Sequence, residues 1–361
     1  MSNRPRLLLV GPLPPPAGGM ANQTQQLKRQ LEMEGMVVSL VRTNEPYRPK
    51  WVASWRGIRA LFRLGPYLWK LWSMAPRADV VHVMANSGWA WYLFALPAIG
   101  IARKRGRKIV VNYRGGQARE FLRRSALLVR AALRGTQLVV PSAFLREVFA
   151  DYGIAAAIIP NVVDANTFHP AAGTSAHRDP TAPHVVIARN LEWIYGIDLG
   201  LRALAIIRPT FPALRVSVAG SGPERTRLEA LASELGMSRI IYFTGRLDLP
   251  GMVALYQSAD LVLNPVRVDN TPNSVLEALA CGVPVVSTNV GGLPYLVEHE
   301  RTAWLAEPES PRSLAAGMVA VLQDDELRSG LVQRGRLHAQ AFSWLAVKDL
   351  WVQAYRGPAG N

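Results

Sequence analysis

The chain has one cysteine, Cys281, so it can form no intrachain disulfide and no thiolate zinc cluster. That thiol lies in ALACGVPVV among small and apolar neighbours, the setting of a structural group rather than a nucleophile. No D-x-D motif occurs: Asp324-Asp325-Glu326 is contiguous, late and inside a helical pattern. No essential metal and no cofactor are therefore expected. A G-x-G-x-x-G fingerprint is also missing, so a nicotinamide site is not indicated. No nucleic-acid-binding motif is visible. The N-terminal MSNRPRLLLVGPLPPP has too short an apolar core for a signal peptide and reads as a first strand, which predicts a cytoplasmic chain. Residues 83–102, VMANSGWAWYLFALPAIGIA, form a long uncharged run, and RKRGRK follows it. Asn86-Ser87-Gly88 interrupts that run early and Pro97 late. A strand pattern stands on either side, so the segment reads as the buried helix of a βαβ unit and not as a membrane span.

Acidic residues are scarce in the first half. Residues 1–165 hold 24 Lys/Arg and 8 Asp/Glu, an excess of +16, whereas residues 166–361 hold 17 and 18, a balance of −1. Such asymmetry implies an anionic partner for the first half. The stretch WVASWRGIRALFRLGPYLWKLWSM narrows the choice. Arg56, Arg59, Arg63 and Lys70 are interleaved there with Trp51, Trp55, Trp69 and Trp72. Tryptophan beside arginine on short amphipathic helices suits a membrane headgroup layer. The basic run Arg103, Lys104, Arg105, Arg107 and Lys108 is expected to help. The competing reading is helices packed on the first sheet with a solvated basic side. Gly65-Pro66 is expected to split the stretch into two helices.

With 361 residues the chain is comfortable for two cores. The runs RLLLVGPL, MVVSLVR, DVVHVM, KIVVNY, QLVVPS and AAAIIPNVV read as strands separated by helical patterns. HVVIAR, RVSVAG, RIIYFTG, ADLVLNP, PVVSTN and TAWLAE repeat the scheme. Continuous apolar strands alternating with helices predict an α/β fold of two doubly wound parallel sheets. The small, proline-containing AAGTSAHRDPTAPH at 171–184 reads as the linker, which gives domains 1–170 and 171–341.

The segment Asp269-Asn270-Thr271-Pro272-Asn273-Ser274-Val275-Leu276-Glu277 carries the most information. Two carboxylates stand eight residues apart across a short polar turn, and the second opens an apolar helical run. Pro272 fits a first helical turn, and Asn273 and Ser274 suit a helix start. The N-terminus of such a helix favours an anion. A sugar diphosphate between the two acids, with phosphate near the helix N-terminus, fits this pattern.

This block resembles the E-x7-E segment of the retaining glycosyltransferases of family four, which have the GT-B fold. Six further pieces occur in family order: PPPAGGM at 14–20, PNVVDANTFHP at 160–170, ARNLEWIYGIDLGLRAL at 188–204, VAGSGPERTRLEALA at 218–232, IYFTGRL at 241–247 and SADLVLNP at 258–265. NVGGLPYLVEHERTAWL at 289–305 closes the series. The resemblance implies two Rossmann-like domains facing across a cleft, with the tail 342–361 packing back on the first. It places Gly18 and Gly19 beside a donor diphosphate and Arg189 facing it. Guanidinium suits that place because it stays charged and forks onto two oxygens. Asp269 would contact the donor hexose, together with nearby backbone N–H groups of Asn273, Ser274, Val275 and Leu276. Glu277 would accept both ribose hydroxyls. Gly220 and Gly222 would line the nucleotide cleft, with Gly245 and Arg246 near the base.

The chain departs from that pattern in three places. The family's usual lysine before glycine is Tyr195 before Gly196, one residue further along. The first acid of the pair is aspartate and not glutamate. The usual histidine after KIVVNY is absent, and Arg114 stands closest to its place; His82, ending DVVHV, is the other candidate there. Either Arg189 and the helix dipole suffice, or Arg114 or Arg246 supplies the missing cation. The implied function is retaining transfer of a sugar from a nucleotide-diphosphate sugar to a lipid-linked or glycan acceptor in envelope polysaccharide, capsule or lipopolysaccharide assembly. The enzyme would be peripheral on the inner face of the membrane. A sugar-nucleotide epimerase of the same fold, and a non-catalytic nucleotide- or glycan-binding relative, are the alternatives.

Overall fold

The computed structural model describes residues 4–15, 18–46, 59–171 and 179–356. They form two compact units, one running to Asn161 and resumed from Val347, the other spanning Val162–Ala346. In the first unit the elements follow one another as β1 (Leu7–Gly11), α1 (Gly19–Met33), β2 (Val38–Arg42), α2 (Arg59–Met74), β3 (Val80–Ala85), α3 (Leu96–Lys104), β4 (Lys108–Tyr113), α4 (Ala118–Leu133), β5 (Gln137–Val140), α5 (Ala143–Ala150) and β6 (Ala157–Ile158). The strands make one parallel sheet in the order β2-β1-β3-β4-β5-β6. Leu9 of β1 aligns with His82 of β3, which aligns with Val110 of β4. Every residue of β1 and β3 is buried, as strands covered on both faces must be.

The second unit contains β7 (His184–Ala188), α6 (Ile197–Ile207), β8 (Arg215–Ala219), α7 (Arg225–Glu234), β9 (Ile241–Gly245), α8 (Leu249–Gln257), β10 (Leu261–Asn264), α9 (Asn273–Ala280), β11 (Val285–Thr288), α10 (Leu293–Leu296), β12 (Trp304–Ala306), α11 (Pro311–Gln323) and α12 (Asp325–Gln340). Its parallel sheet has the order β12-β11-β10-β7-β8-β9. In both sheets the chain winds first to one side and then to the other, the Rossmann-like arrangement. Such sheets bind ligands beyond the carboxyl ends of their strands.

Several expectations change in detail. The passage between units falls at Asn161 and Val162, earlier than residue 170. The Val163 N–H donates to the Phe342 carbonyl at 2.9 Å, and Val163 and Phe168 pack in the core of the second unit. Most of the expected linker, residues 172–178, lies outside the described residues. A last helix, α13 (Trp344–Arg356), belongs to the first unit from Val347 on. Its Trp351 and Tyr355 rings lie 5.0 and 5.8 Å from the His82 ring. In AAAIIPNVV only Ala157–Ile158 is strand.

The stretch containing Gly65-Pro66 is one helix and not two: α2 runs through Pro66. Pro66 is exposed, on the side of the helix away from the sheet's core. Buried Tyr67 and Leu71 anchor α2 just beyond Pro66, and the Tyr67 hydroxyl donates to the Phe94 carbonyl at 2.7 Å. Trp51 and Trp55 lie outside the described residues. Residues 83–102 are the end of β3, a π-helical turn Trp91–Ala95 and most of α3. Among the described residues no helix is long and apolar enough to cross a membrane. Lys108 is not a surface charge, since its Nζ is buried with no hydrogen-bond partner among the described residues and burial lowers its pKa.

Candidate active site

The carboxyl ends of β7, β8, β9, β10 and β11 bring five loops of the second unit together. Arg189 follows β7 directly. Its Nε donates to Asn264 Oδ1 at 2.8 Å and its Nη2 to Asp269 Oδ2 at 2.7 Å. The Tyr195 ring lies under the guanidinium, 5.1 Å from ring centre to Cζ. Three neighbours thus fix the plane of the guanidinium, and Nη1 has no partner among the described residues. Asn264 is itself held, donating from Nδ2 to Ser287 Oγ at 2.8 Å. The arginine and aspartate side chains are only 11% and 17% exposed, so the pair is shielded from solvent screening.

Asp269 spends its second oxygen on the Asn270 N–H at 2.7 Å. Both carboxylate oxygens are therefore engaged within the protein. The loop that carries it is pressed against Gly291 and Gly292. A Cβ on Gly292 would stand 1.8 Å from the Asn270 carbonyl oxygen, and one on Gly291 would stand 2.2 Å from that of Asp269. Only glycine admits this approach, and the Gly292 N–H donates to the Asp269 carbonyl at 3.0 Å.

Pro272 is the residue before the helix and α9 starts at Asn273, so Glu277 lies in its second turn. The buried Tyr256 donates its hydroxyl to Glu277 Oε2 at 3.0 Å. Oε1 has no partner among the described residues. Burial raises the pKa of Glu277, opposed by the Tyr256 hydrogen bond and by the charge of Arg189. One turn on, Cys281 is 4% exposed, and burial with a smaller push from Glu277 raises its thiol to about 12.

Gly220 and Gly222 face the same place for a packing reason. A Cβ on Gly220 would meet the Arg189 carbonyl oxygen at 2.0 Å, and one on Gly222 that of Leu191 at 2.2 Å. The Gly220 N–H donates to the Gly245 carbonyl at 2.8 Å, and Arg246 Nε to Ser221 Oγ at 2.6 Å. Gly196 has φ +59°, and its missing side chain lets the Pro265 carbonyl approach. Arg267 ties this turn down. It donates to both Asp198 oxygens at 2.7 and 3.0 Å and to the Trp193 carbonyl at 3.0 Å, and its N–H reaches the Ile194 carbonyl at 2.8 Å.

The structure thus gathers Arg189, Tyr195, Gly220, Gly222, Gly245, Arg246, Asp269 and the start of α9 from Asn273 to Glu277 in one unit. Gly18, Gly19, Arg114 and His82 lie in the other. Gly18 precedes α1 with φ −176°, and a Cβ at Gly18 or Gly19 would meet nothing within 4 Å. Arg114 is described below. His82 is buried, with Nδ1 2.9 Å from the Tyr355 hydroxyl, and burial lowers its pKa to about 3 with help from the Arg114 charge. It is a neutral structural group that meets α13. Sequence reasoning missed Asn264, Tyr256, Ser287 and Arg267. One signal was present: Asn264 is a polar residue ending the apolar run LVL. Among the described residues no group of three metal-binding side chains occurs.

Residues 175–338 match the family model described as Glycosyl transferases group 1, and residues 17–167 match that described as Glycosyltransferase Family 4. The chain is 30% identical over 220 residues to D-inositol 3-phosphate glycosyltransferase of Corynebacterium jeikeium, covering 56% of this chain and 52% of that one. It is 32% identical over 173 residues to the Corynebacterium urealyticum protein of the same name, covering 46% and 41%. The chain therefore spans about half the length of these relatives or less. Among solved structures, sucrose-phosphate synthase from Thermosynechococcus elongatus superposes with a TM-score of 0.78 at 19% identity over 97% of this chain and 98% of that one. HepE from Anabaena, in complex with UDP and glucose, gives 0.75 at 18% identity over 98% and 100%. At such identity these two structures speak for the fold.

Proposed function

Because the chain belongs to the family-four, group 1 glycosyltransferases of GT-B fold, we propose that it transfers a sugar from a nucleotide-diphosphate sugar to an acceptor with retention of configuration. The observation that carries this reading is the Arg189 guanidinium, clamped by Asn264 and Asp269 with Nη1 left over, at the carboxyl edge of the second sheet. Its task follows from charge. When the glycosidic bond breaks, the leaving diphosphate gains negative charge, and a cation already oriented there stabilises the transition state more than the ground state. Glu277 then takes the ribose hydroxyls on its unpartnered Oε1, with Oε2 anchored by Tyr256. The glycines at 220 and 222 keep side chains out of the nucleotide's path. HepE is bound to UDP and glucose in its structure, which fits this choice of donor class.

Retention follows in this reading from attack on the face of the sugar that the diphosphate leaves. A departing phosphate oxygen takes the acceptor's proton, so no separate protein base is needed. Tyr195 replaces the family lysine not by supplying charge but by stacking under Arg189. We place the enzyme on the inner face of the membrane, acting on a lipid-linked acceptor of envelope polysaccharide assembly. The support is the basic first half and the outer side of α2, where Trp69 and Trp72 are 70% and 47% exposed. The cytoplasmic leaflet is anionic and attracts such a surface.

The test is a panel of nucleotide sugars screened by thermal shift, followed by nucleotide release with and without membrane extract. Acceptor-dependent release, with NMR of the product showing the donor's anomeric configuration, is expected. Conversion of the donor without acceptor would make the protein an epimerase. Donor binding without turnover under any condition would make it a binding protein.

A further inference from the structure

The first unit contains a cation that is not among the groups gathered in the second unit. Arg114 follows β4, at the carboxyl end of the sheet. It is fixed by its own N–H, which donates to the Ala85 carbonyl at 2.9 Å. The next residue is Gly115, where a Cβ would come within 2.3 Å of Ser87 Oγ and 2.6 Å of the Tyr113 hydroxyl, so the backbone passes close against both side chains. The guanidinium is held by neutral amides. Nε donates to Asn112 Oδ1 at 3.2 Å, and Nη1 donates to Gln23 Oε1 at 3.3 Å and to Asn161 Oδ1. An arginine offers five N–H donors and no acceptor, so all three amides must present oxygen. Nη2 keeps both its hydrogens without a partner among the described residues.

Amide oxygens satisfy hydrogen bonds but cancel no charge. Among the described residues no carboxylate pairs with Arg114, in contrast to Arg189 and Arg267. A positive charge set among packed elements without a counter-ion is costly unless something outside the chain supplies one. Burial lowers the pKa to about 10, which still leaves the group charged at neutral pH. His82 on the adjacent strand cannot compensate, because it is neutral and would repel if protonated. The three amides come from β4, from α1 and from the segment after β6, so the cage joins three parts of the unit. A cage that orients the cation, leaves one edge bare and withholds a counter-ion is the preparation expected of a receptor and not of a structural ion pair.

We infer that Arg114 is an oxyanion receptor of the first unit and that the acceptor presents a phosphate or carboxylate to its Nη2 edge. This rests on the transferase reading for the word acceptor; the site itself rests on the cage alone. A planar guanidinium edge suits an oxygen pair, so lysine in its place would keep the charge and lose the fork.

The test follows the Arg114 Nε–H resonance in the intact protein by NMR, assigned by its absence from Arg114→Lys. Inorganic phosphate, glycerol 3-phosphate, glycerol and glucuronate are titrated in low salt, with and without saturating UDP. The resonance is expected to shift with phosphate and with at least one of the two organic anions, not with glycerol, and to do so whether UDP is present or not. Arg114→Lys should bind the same anion about tenfold more weakly, while Arg189→Ala binds it as the wild type does. A stronger response to glycerol 3-phosphate assigns a phosphorylated acceptor, and a stronger response to glucuronate assigns an acidic sugar. No shift with any anion, or phosphate binding that UDP abolishes, overturns the inference, since the anion would then belong to the donor site. Failure of every nucleotide sugar to bind, with the Arg114 response intact, would remove the transferase reading and leave this site standing.

Discussion

At the scale of single residues, the site depends on how two charged groups are held. Arg189→Ala removes the group proposed to meet the leaving diphosphate and strips Asp269 of its ion-pair partner. It is expected to lower kcat by about a hundredfold or more, with a smaller effect on KM. Tyr195→Phe keeps the ring under the guanidinium and should keep most of the rate. Tyr195→Ala should lose roughly tenfold, the worth of a partly buried cation–π contact. Steady-state kinetics on the three variants decide, and a Phe variant as poor as Ala would assign the work to the hydroxyl. Glu277 carries a pH prediction. Its pKa is raised by burial. In the free protein this group's contribution to stability is fully present below the ordinary glutamate value and is lost as pH rises through the raised one. Donor hydroxyls need the ionised form, so the sign reverses for binding. Affinity is complete above the raised pKa and falls as pH drops through it. Glu277→Gln should bind donor about thirtyfold more weakly at neutral pH and lose that acid dependence. Calorimetric titration of donor across pH 4–8, a range of about that width, measures both.

At the scale of elements, glycine packing sets the loops. A methyl group on Gly292 would collide with the Asn270 carbonyl, and backbone cannot yield as a flexible side chain does. Gly292→Ala is expected to destabilise the second unit by about 3 kcal/mol and to weaken donor binding through displacement of Asp269. Gly19→Ala, where a Cβ meets nothing, is the control and should leave the melting temperature near that of the wild type. The strands were legible because buried parallel strands are continuous apolar runs, and the acid block was legible because both carboxylates lie in one short segment. Asn264 and Ser287 were not, since Asn264 meets Arg189 across 75 residues of sequence and no local pattern encodes that distance. Pro66 misled for a related reason. Its helix-breaking tendency is local, whereas the packing of Tyr67 and Leu71 that overrides it is tertiary. The same helix turns Trp69 and Trp72 outward, and the Arg105 guanidinium lies 3.7 Å from the centre of the Trp72 ring. A Trp69→Ala, Trp72→Ala double variant should bind anionic vesicles more weakly at every salt concentration. The wild type should lose part of its binding as salt shortens the Debye length below about 8 Å. Equal sedimentation with neutral and anionic vesicles would instead make this face an ordinary helix surface.

At the scale of the whole molecule, the chain makes two units but does not divide between them at one point. Residues from Val347 return to the unit built from the N-terminal half. Trp351 and Tyr355 are 1% and 2% exposed there, and the Tyr355 hydroxyl meets His82 at 2.9 Å. Two large aromatic side chains buried by ten residues of helix are substantial, since truncating one such ring in a core costs about 3–5 kcal/mol. The first unit should therefore be unstable without a segment encoded after the second. Deleting the residues beyond Ala346 is expected to abolish or lower the melting transition of the first unit while leaving that of the second, which contains Arg189, Asp269 and Glu277, near its wild-type temperature. Nucleotide sugar should still raise the second transition in the truncated protein, by mass action on a folded site. Differential scanning calorimetry with and without donor separates the two transitions. His82→Ala, which removes the ring that both aromatics contact, should lower the first transition in the same direction by a smaller amount. If truncation lowers both transitions together, the units fold as one cooperative block, and the second unit depends on the first for its stability.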